Sequence, residues 1–113
     1  MTIVYDKVVV IGMGLIGASI VLAIRRGGLA KKVVGSDCSS EAAKAVERLK
    51  ITDMFEPDAA LSVKDADLVI MAVPVGAIGS LAKQIIPSLK PGAVLTDTGS
   101  TKTSVIRDVA PYL

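Results

Sequence analysis

Apolar positions along the chain fall into short continuous runs that stop at glycine or proline, separated by stretches of helical spacing. Lys7 to Ile11 is such a run; it stops at Gly12 and predicts a buried strand. From Leu15 to about Arg26, Ile16, Ile20, Ala23, Ile24 and Gly27 share a helical face, and Gly27-Gly28 closes the helix. Lys32 to Ser36 predicts a second strand, followed by Asp37. Ser39 or Ser40 caps a second helix whose inner face would be Ala42, Val46 and Leu49. The signal then weakens: Met54-Phe55 reads as a short third strand, and Asp58 as the cap of a short helix running through Val63. Asp67 to Val73 is the strongest strand, closed by Pro74, because proline cannot continue a central ladder. A helix follows with Ile78, Leu81, Ala82, Ile85, Ile86 and Leu89 on one face, ending at Pro87 and the Lys90-Pro91-Gly92 turn. Ala93 to Thr96 reads as a fifth strand. Thr101 to about Tyr112 reads as a last helix with Val105, Val109 and Tyr112 inward.

Strand and helix alternate throughout, which predicts an α/β class, a doubly wound parallel sheet with helices on both faces; the usual Rossmann-type strand order, 3-2-1-4-5, is expected. The 113 residues suit one domain. With one Phe, two Tyr and no Trp, the core must come from Val, Ile, Leu and Ala, which suits strands buried on both faces. A net charge of +2 gives little attraction for polyanions, so neither nucleic acid nor a membrane surface is expected as a partner. Cys38 is the single cysteine, so an internal disulfide is excluded and a reducing compartment is expected. No basic segment precedes an apolar stretch at the N-terminus, and glycines interrupt the first apolar run, so a cytoplasmic location is expected. No metal-ligand pattern is visible. The chain has no histidine, which removes the commonest general acid or base.

Chemistry is concentrated where strands give way to helices. Gly12-Met13-Gly14-Leu15-Ile16-Gly17 follows the first strand and opens the first helix, and Asp37 follows Gly17 by about 20 residues at the end of the second strand. This context makes the turn a Rossmann-type candidate for the pyrophosphate of a dinucleotide. Gly12 permits the tight turn, Gly14 leaves room for the phosphates, and Gly17 lets helix and strand pack closely. The helix N-terminus adds unpaired amides and partial positive charge. Asp37 is placed to accept from the adenosine ribose hydroxyls. A 2′-phosphate there would face a carboxylate with no Lys or Arg between Ser36 and Glu41 to offset it, so NAD is expected rather than NADP. The plainer alternatives are a glycine-rich turn that binds nothing and an Asp37 that only caps a turn.

Two further loops lie beyond strand carboxyl ends, where doubly wound sheets bind ligands: Val73-Pro74-Val75-Gly76 and Asp97-Thr98-Gly99-Ser100-Thr101-Lys102. The second can contact a nicotinamide ribose or an anionic substrate, or it can be a capped helix start with Lys102 in solvent. Taken together and in order, Gly12 to Ser19, Ala72 to Gly76 and Asp97 to Lys102 resemble the N-terminal domain of prephenate/arogenate (cyclohexadienyl) dehydrogenases, the oxidoreductases of tyrosine biosynthesis. The resemblance spans essentially the whole chain. The glycine motif is shared with many dehydrogenases; the Asp-x-Gly-Ser-Thr-Lys turn is far more specific.

The resemblance implies an NAD-dependent oxidative decarboxylation of prephenate or arogenate. It implies that Ser100 lies at the catalytic centre, near nicotinamide and substrate hydroxyl, and that Val73, Pro74 and Thr98 line the cofactor groove. That family's catalytic histidine and helical dimerising domain have no counterpart in these residues. The chain therefore looks like the first part of such an enzyme, stopping before the last strand of its sheet. Alone, it is expected to bind NAD weakly and to turn over little substrate. The fifth strand would then lie at an open apolar edge, so self-association into a homo-oligomer is expected. A stand-alone NAD-binding module, or another small-molecule dehydrogenase such as a β-hydroxyacid dehydrogenase or a pyrroline-carboxylate reductase, are the competing readings. The Asp97-to-Lys102 turn weighs against all of them.

Overall fold

Val8, Val9 and Val10 are successive residues with 0 % exposure. Neighbouring strand residues point to opposite faces, so such a run needs cover on both sides of the sheet. The computed structural model describes residues 5–97 and supplies that cover. Its elements are β1 (Tyr5–Ile11), α1 (Leu15–Gly27), β2 (Ala30–Ser36), α2 (Ser40–Leu49), β3 (Met54–Phe55), α3 (Ala59–Ser62), β4 (Leu68–Met71), α4 (Val75–Ile85), a 3-10 turn (Ile86–Ser88) and β5 (Val94–Asp97). The strands form one parallel sheet in the expected order, β3-β2-β1-β4-β5.

Alternation along β1 divides the core in two. Val9 and Ile11 join Val34, Val69 and Met71 against α3 and α4, through Ala59, Ile78, Ala82 and Ile85. Val8 and Val10 join Val33 against α1 and α2, through Val21 and Val46. The expected caps are present. Ser39 Oγ accepts from Ala42 N–H at 3.2 Å, and Asp58 Oδ1 accepts from Ala60 and Leu61 N–H at 2.9 and 3.3 Å. Gly28, at φ 64°, closes α1 in the left-handed region. Among the described residues, no helix is long and apolar enough to cross a membrane.

Several expected details shift. The inner face of α1 is only partly the expected one: Ile20 and Ile24 pack against the core as expected, but Ile16 is 62 % exposed and Ala23 is exposed, whereas Val21 is buried and Ala18 packs beside it. The helix is phased by the small residue Gly17, which periodicity of apolar side chains does not register. Leu49 is likewise 62 % exposed; Lys50 turns the chain at φ 51°, and the buried stripe of α2 passes from Val46 to Ile51. The strand expected over Asp67 to Val73 is β4, Leu68–Met71, so the chain leaves the sheet before Pro74, which instead stands at the N-terminus of α4. β5 begins one residue later than expected, after the turn at Gly92 (φ 85°). The helix expected over Thr101 to Tyr112 lies outside the described residues.

At the amino end of the sheet, Asp67 joins three segments. Its Oδ2 accepts from Asp6 N–H at 2.8 Å and Lys7 N–H at 3.0 Å, and its Oδ1 pairs with Lys90 Nζ. The Lys90 bond, followed by the Lys7 amide, holds the Asp67 carboxyl down at about 2, below its ordinary 3.8. The folded value is depressed, so the stabilisation is full above the ordinary value and disappears as pH falls through the folded one. Denaturation of wild type and Asp67→Asn should therefore show a stability gap at neutral pH that closes between about pH 4 and pH 2. A gap that stays constant over that interval would contradict this account.

Candidate dinucleotide site

The loops after β1, β2 and β4 meet at the carboxyl end of the sheet, and backbone crowding dictates their shape. Gly12 has φ +102°, and a Cβ on it would lie 2.4 Å from the Ala72 carbonyl oxygen. A Cβ on Gly17 would lie 1.8 Å from the Gly12 carbonyl oxygen. Both positions exclude a side chain because the fold itself occupies the space. Gly14 differs: its φ is −73°, and among the described residues nothing lies within 4 Å of where its Cβ would be. The protein does not need glycine there, and the space above it is open.

Gly14 is also the N-cap of α1. Among the described residues no side chain caps this helix, and its first turn carries no acid. The first amides of that turn and the positive end of the helix dipole therefore meet no capping group among the described residues, an arrangement suited to an anion. Beside it, the Asp37 carboxylate is engaged on both oxygens: Oδ2 accepts from Met13 N–H at 2.7 Å and Oδ1 from Ser39 N–H at 2.9 Å. Each oxygen retains a second lone pair, and Asp37 lines the adjoining cavity.

That cavity, of about 560 Å³, is bounded by Gly12 and Gly14, by Asp37 and Cys38, by Val73 and Pro74, and by Pro57 and Ala59 leading into α3. Ala77, Ser80, Leu81 and Gln84 of α4 form another wall. Five of the expected site residues, Gly12, Gly14, Asp37, Val73 and Pro74, thus come together. Met13 does not line the cavity; its N–H donates to Asp37, and its side chain is buried against Gly35, where a Cβ would lie 2.8 Å from the Met13 sulfur. Gly17 lies beneath the turn, Ile16 is exposed on α1, and neither lines the cavity; Leu15 is the first residue of α1. Thr98 and Ser100 lie outside the described residues.

Sequence reasoning missed the walls from α3 and α4. Positions 77, 80, 81 and 84 repeat at helical spacing, but apart from Leu81 they lie off the apolar stripe by which α4 was recognised. It also missed Ser36. This fully buried residue reaches the cavity wall, its carbonyl accepts from Gly12 N–H at 2.7 Å, and its hydroxyl has no partner among the described residues. Among those residues, no cluster of three or more His, Cys, Asp or Glu could hold a metal.

The family model described as "Prephenate dehydrogenase, nucleotide-binding domain" matches residues 20–113. The chain belongs to this family. Prephenate dehydrogenase of Lactococcus lactis is 36 % identical over 101 residues, covering 88 % of this chain and 28 % of that protein. Among solved structures, prephenate dehydrogenase from A. aeolicus in complex with hydroxyphenyl propionate and NAD+ superposes with a TM-score of 0.85 at 29 % identity, covering 96 % of this chain and 38 % of the other. Synechocystis arogenate dehydrogenase superposes with a TM-score of 0.82 at 32 % identity, covering 94 % and 37 %. The chain spans between 28 % and 38 % of the length of the curated relatives it matches. The match to the prephenate dehydrogenase nucleotide-binding family begins within α1, beyond the glycine turn, and runs through the Asp97-to-Lys102 segment.

The glycines should separate in denaturation experiments. Gly17→Ala is expected to lower stability by about 3 kcal/mol, because backbone must move to admit the methyl group. Gly12→Ala should be comparably damaging, through positive φ as well as contact. Gly14→Ala should change stability by no more than about 0.5 kcal/mol. Equal losses at positions 14 and 17 would show that the open space at Gly14 is misread.

Proposed function

We propose that residues 1–113 form one NAD-binding domain of a prephenate or arogenate dehydrogenase, and that they hold NAD+ for the oxidative decarboxylation of a small cyclohexadienyl substrate. The observation that carries this reading is the pairing of an unobstructed helix start at Gly14 with the Asp37 carboxylate on one cavity. Family membership supports it, as does a solved relative described with NAD+.

The residues present fit the dinucleotide. The diphosphate would rest over Gly14 at the start of α1, where a side chain would obstruct it and the helix amides favour negative charge. Asp37 would accept from the adenosine ribose hydroxyls with the lone pairs its two backbone bonds leave free. A 2′-phosphate would meet the same carboxylate without a compensating cation between Ser36 and Glu41. Pro57, Ala59, Ala77 and Leu81 offer apolar surface for the adenine. Val73, Pro74 and Thr98 would flank the nicotinamide side. When bound, NAD+ supplies the hydride acceptor. On the strength of the Asp-x-Gly-Ser-Thr-Lys turn, Ser100 would lie between the nicotinamide and the substrate hydroxyl, orienting that hydroxyl by donating and accepting at once. No histidine occurs among the 113 residues, so an imidazole that takes the hydroxyl proton would have to come from outside them.

Titration calorimetry should show NAD+ binding at least about tenfold more tightly than NADP+. Gly14→Val should weaken NAD+ by about tenfold or more while leaving the unfolding midpoint nearly unchanged. Equal affinity for the two dinucleotides, or an unaffected Gly14→Val variant, would overturn the assignment of the site. With prephenate or arogenate added, the 113 residues alone are expected to form NADH only slowly. Fast turnover by them would remove the need for an outside imidazole.

A further inference from the structure

We propose that Asp37 is also a positioning residue for the glycine turn, so that diphosphate affinity depends on it independently of any ribose contact. This rests on the NAD reading above and adds a second function to one of its residues. Met13 stands between two glycines, and glycine on both sides leaves the intervening peptides wide conformational freedom. Its side chain anchors in the core, while its N–H is fixed by Asp37 Oδ2 at 2.7 Å. That N–H shares a peptide plane with the Gly12 carbonyl, the group on which Gly17 and the start of α1 sit. Fixing the Met13 amide therefore fixes the carbonyl that seats the helix.

The carboxylate is itself oriented from the other side. Ser39 N–H donates to Asp37 Oδ1 at 2.9 Å, and Ser39 Oγ caps α2 by accepting from Ala42 N–H at 3.2 Å. One continuous chain of bonds thus runs from the start of α2, through Asp37, to the start of α1. Two acceptor oxygens are needed to complete it. An asparagine supplies one, and its NH2 group would confront the N–H of whichever partner is left. Asp37→Asn should therefore loosen the turn as well as weaken the ribose contact.

A cycle between ligand and protein separates the two effects. The probes are ADP and 2′,3′-dideoxy-ADP, which share a diphosphate but differ in the hydroxyls that Asp37 would read. Calorimetry on the intact protein and on Asp37→Asn should show the variant weakening dideoxy-ADP by about tenfold, the low end for a hydrogen bond to a charged group, and ADP by more. A loss confined to ADP, with dideoxy-ADP within about twofold of wild type, would overturn the proposal while leaving the nucleotide reading intact. In the ligand-free wild type, NMR should detect scalar coupling across the hydrogen bond between the Met13 amide nitrogen and the Asp37 carboxyl carbon. Its absence would overturn the proposal even if Asp37→Asn fails to fold. If wild type binds neither ADP nor NAD+, the nucleotide reading fails, and the coupling measurement alone decides the positioning role.

Discussion

The Gly12 carbonyl is the contact around which the carboxyl end of this molecule is arranged. It occupies the space a side chain at position 17 would need, and Gly12 in turn crowds the carbonyl of Ala72 beyond β4. Three backbone segments, from β1, α1 and the β4 loop, therefore meet without side chains between them. This close approach puts the start of α1 directly over the end of β1. It also leaves Gly14 outside the contact, at the mouth of a cavity walled by β2, α3 and α4. The cavity is a consequence of packing that excludes Cβ atoms at two positions and has no need to exclude one at the third.

Carboxylates secure both ends of the sheet by the same chemistry. At the amino end, Asp67 gathers the amides of Asp6 and Lys7 and the Lys90 ammonium, joining the starts of β1 and β4 to the turn before β5. At the carboxyl end, Asp37 gathers the amides of Met13 and Ser39. The difference is the cation. Lys90 completes the shell of Asp67, whereas among the described residues no salt-bridge partner closes on Asp37, which lines the cavity. A carboxylate that accepts from two backbone donors keeps a further lone pair on each oxygen, so a structural bond does not use up its capacity for a ligand. Capping a turn and reading a ribose were alternatives at the level of sequence; the geometry makes them compatible.

Local chemistry made much of this legible from the residues. The element order follows from apolar runs stopped by glycine or proline. The caps at Ser39 and Asp58 follow from short polar side chains just ahead of helical spacing; the parallel sheet follows from the alternation of strand and helix, and its order is the usual one for a Rossmann-type first turn. What escaped was decided by contacts distant in sequence. The phase of α1 depends on Gly17 meeting Gly12, so Val21 rather than Ile16 is buried. Arg25 bonds the carbonyls of Lys50 and Ile51 at 2.8 and 2.7 Å, tying the end of α1 to the loop before β3, and nothing local marks it for that task. Ser80 and Gln84 read as ordinary solvent positions until α4 is laid along the cavity.

Gly14 is the most informative residue because the fold does not require it. Glycine generally costs about 0.5–1 kcal/mol relative to alanine wherever alanine could adopt the same backbone conformation, since the unfolded chain has more freedom to lose. At Gly12 and Gly17 steric exclusion makes that cost unavoidable. At Gly14, with φ −73° and no atom of the described residues within 4 Å of a Cβ, alanine would fit, and the entropy it would save is offset by glycine's advantage at an N-cap. Glycine at this position relieves no contact among the described residues; what it offers beyond alanine is open access to the amides at the helix start. Its place at the uncapped start of α1, beside a carboxylate, makes the diphosphate and ribose of a dinucleotide the natural occupant.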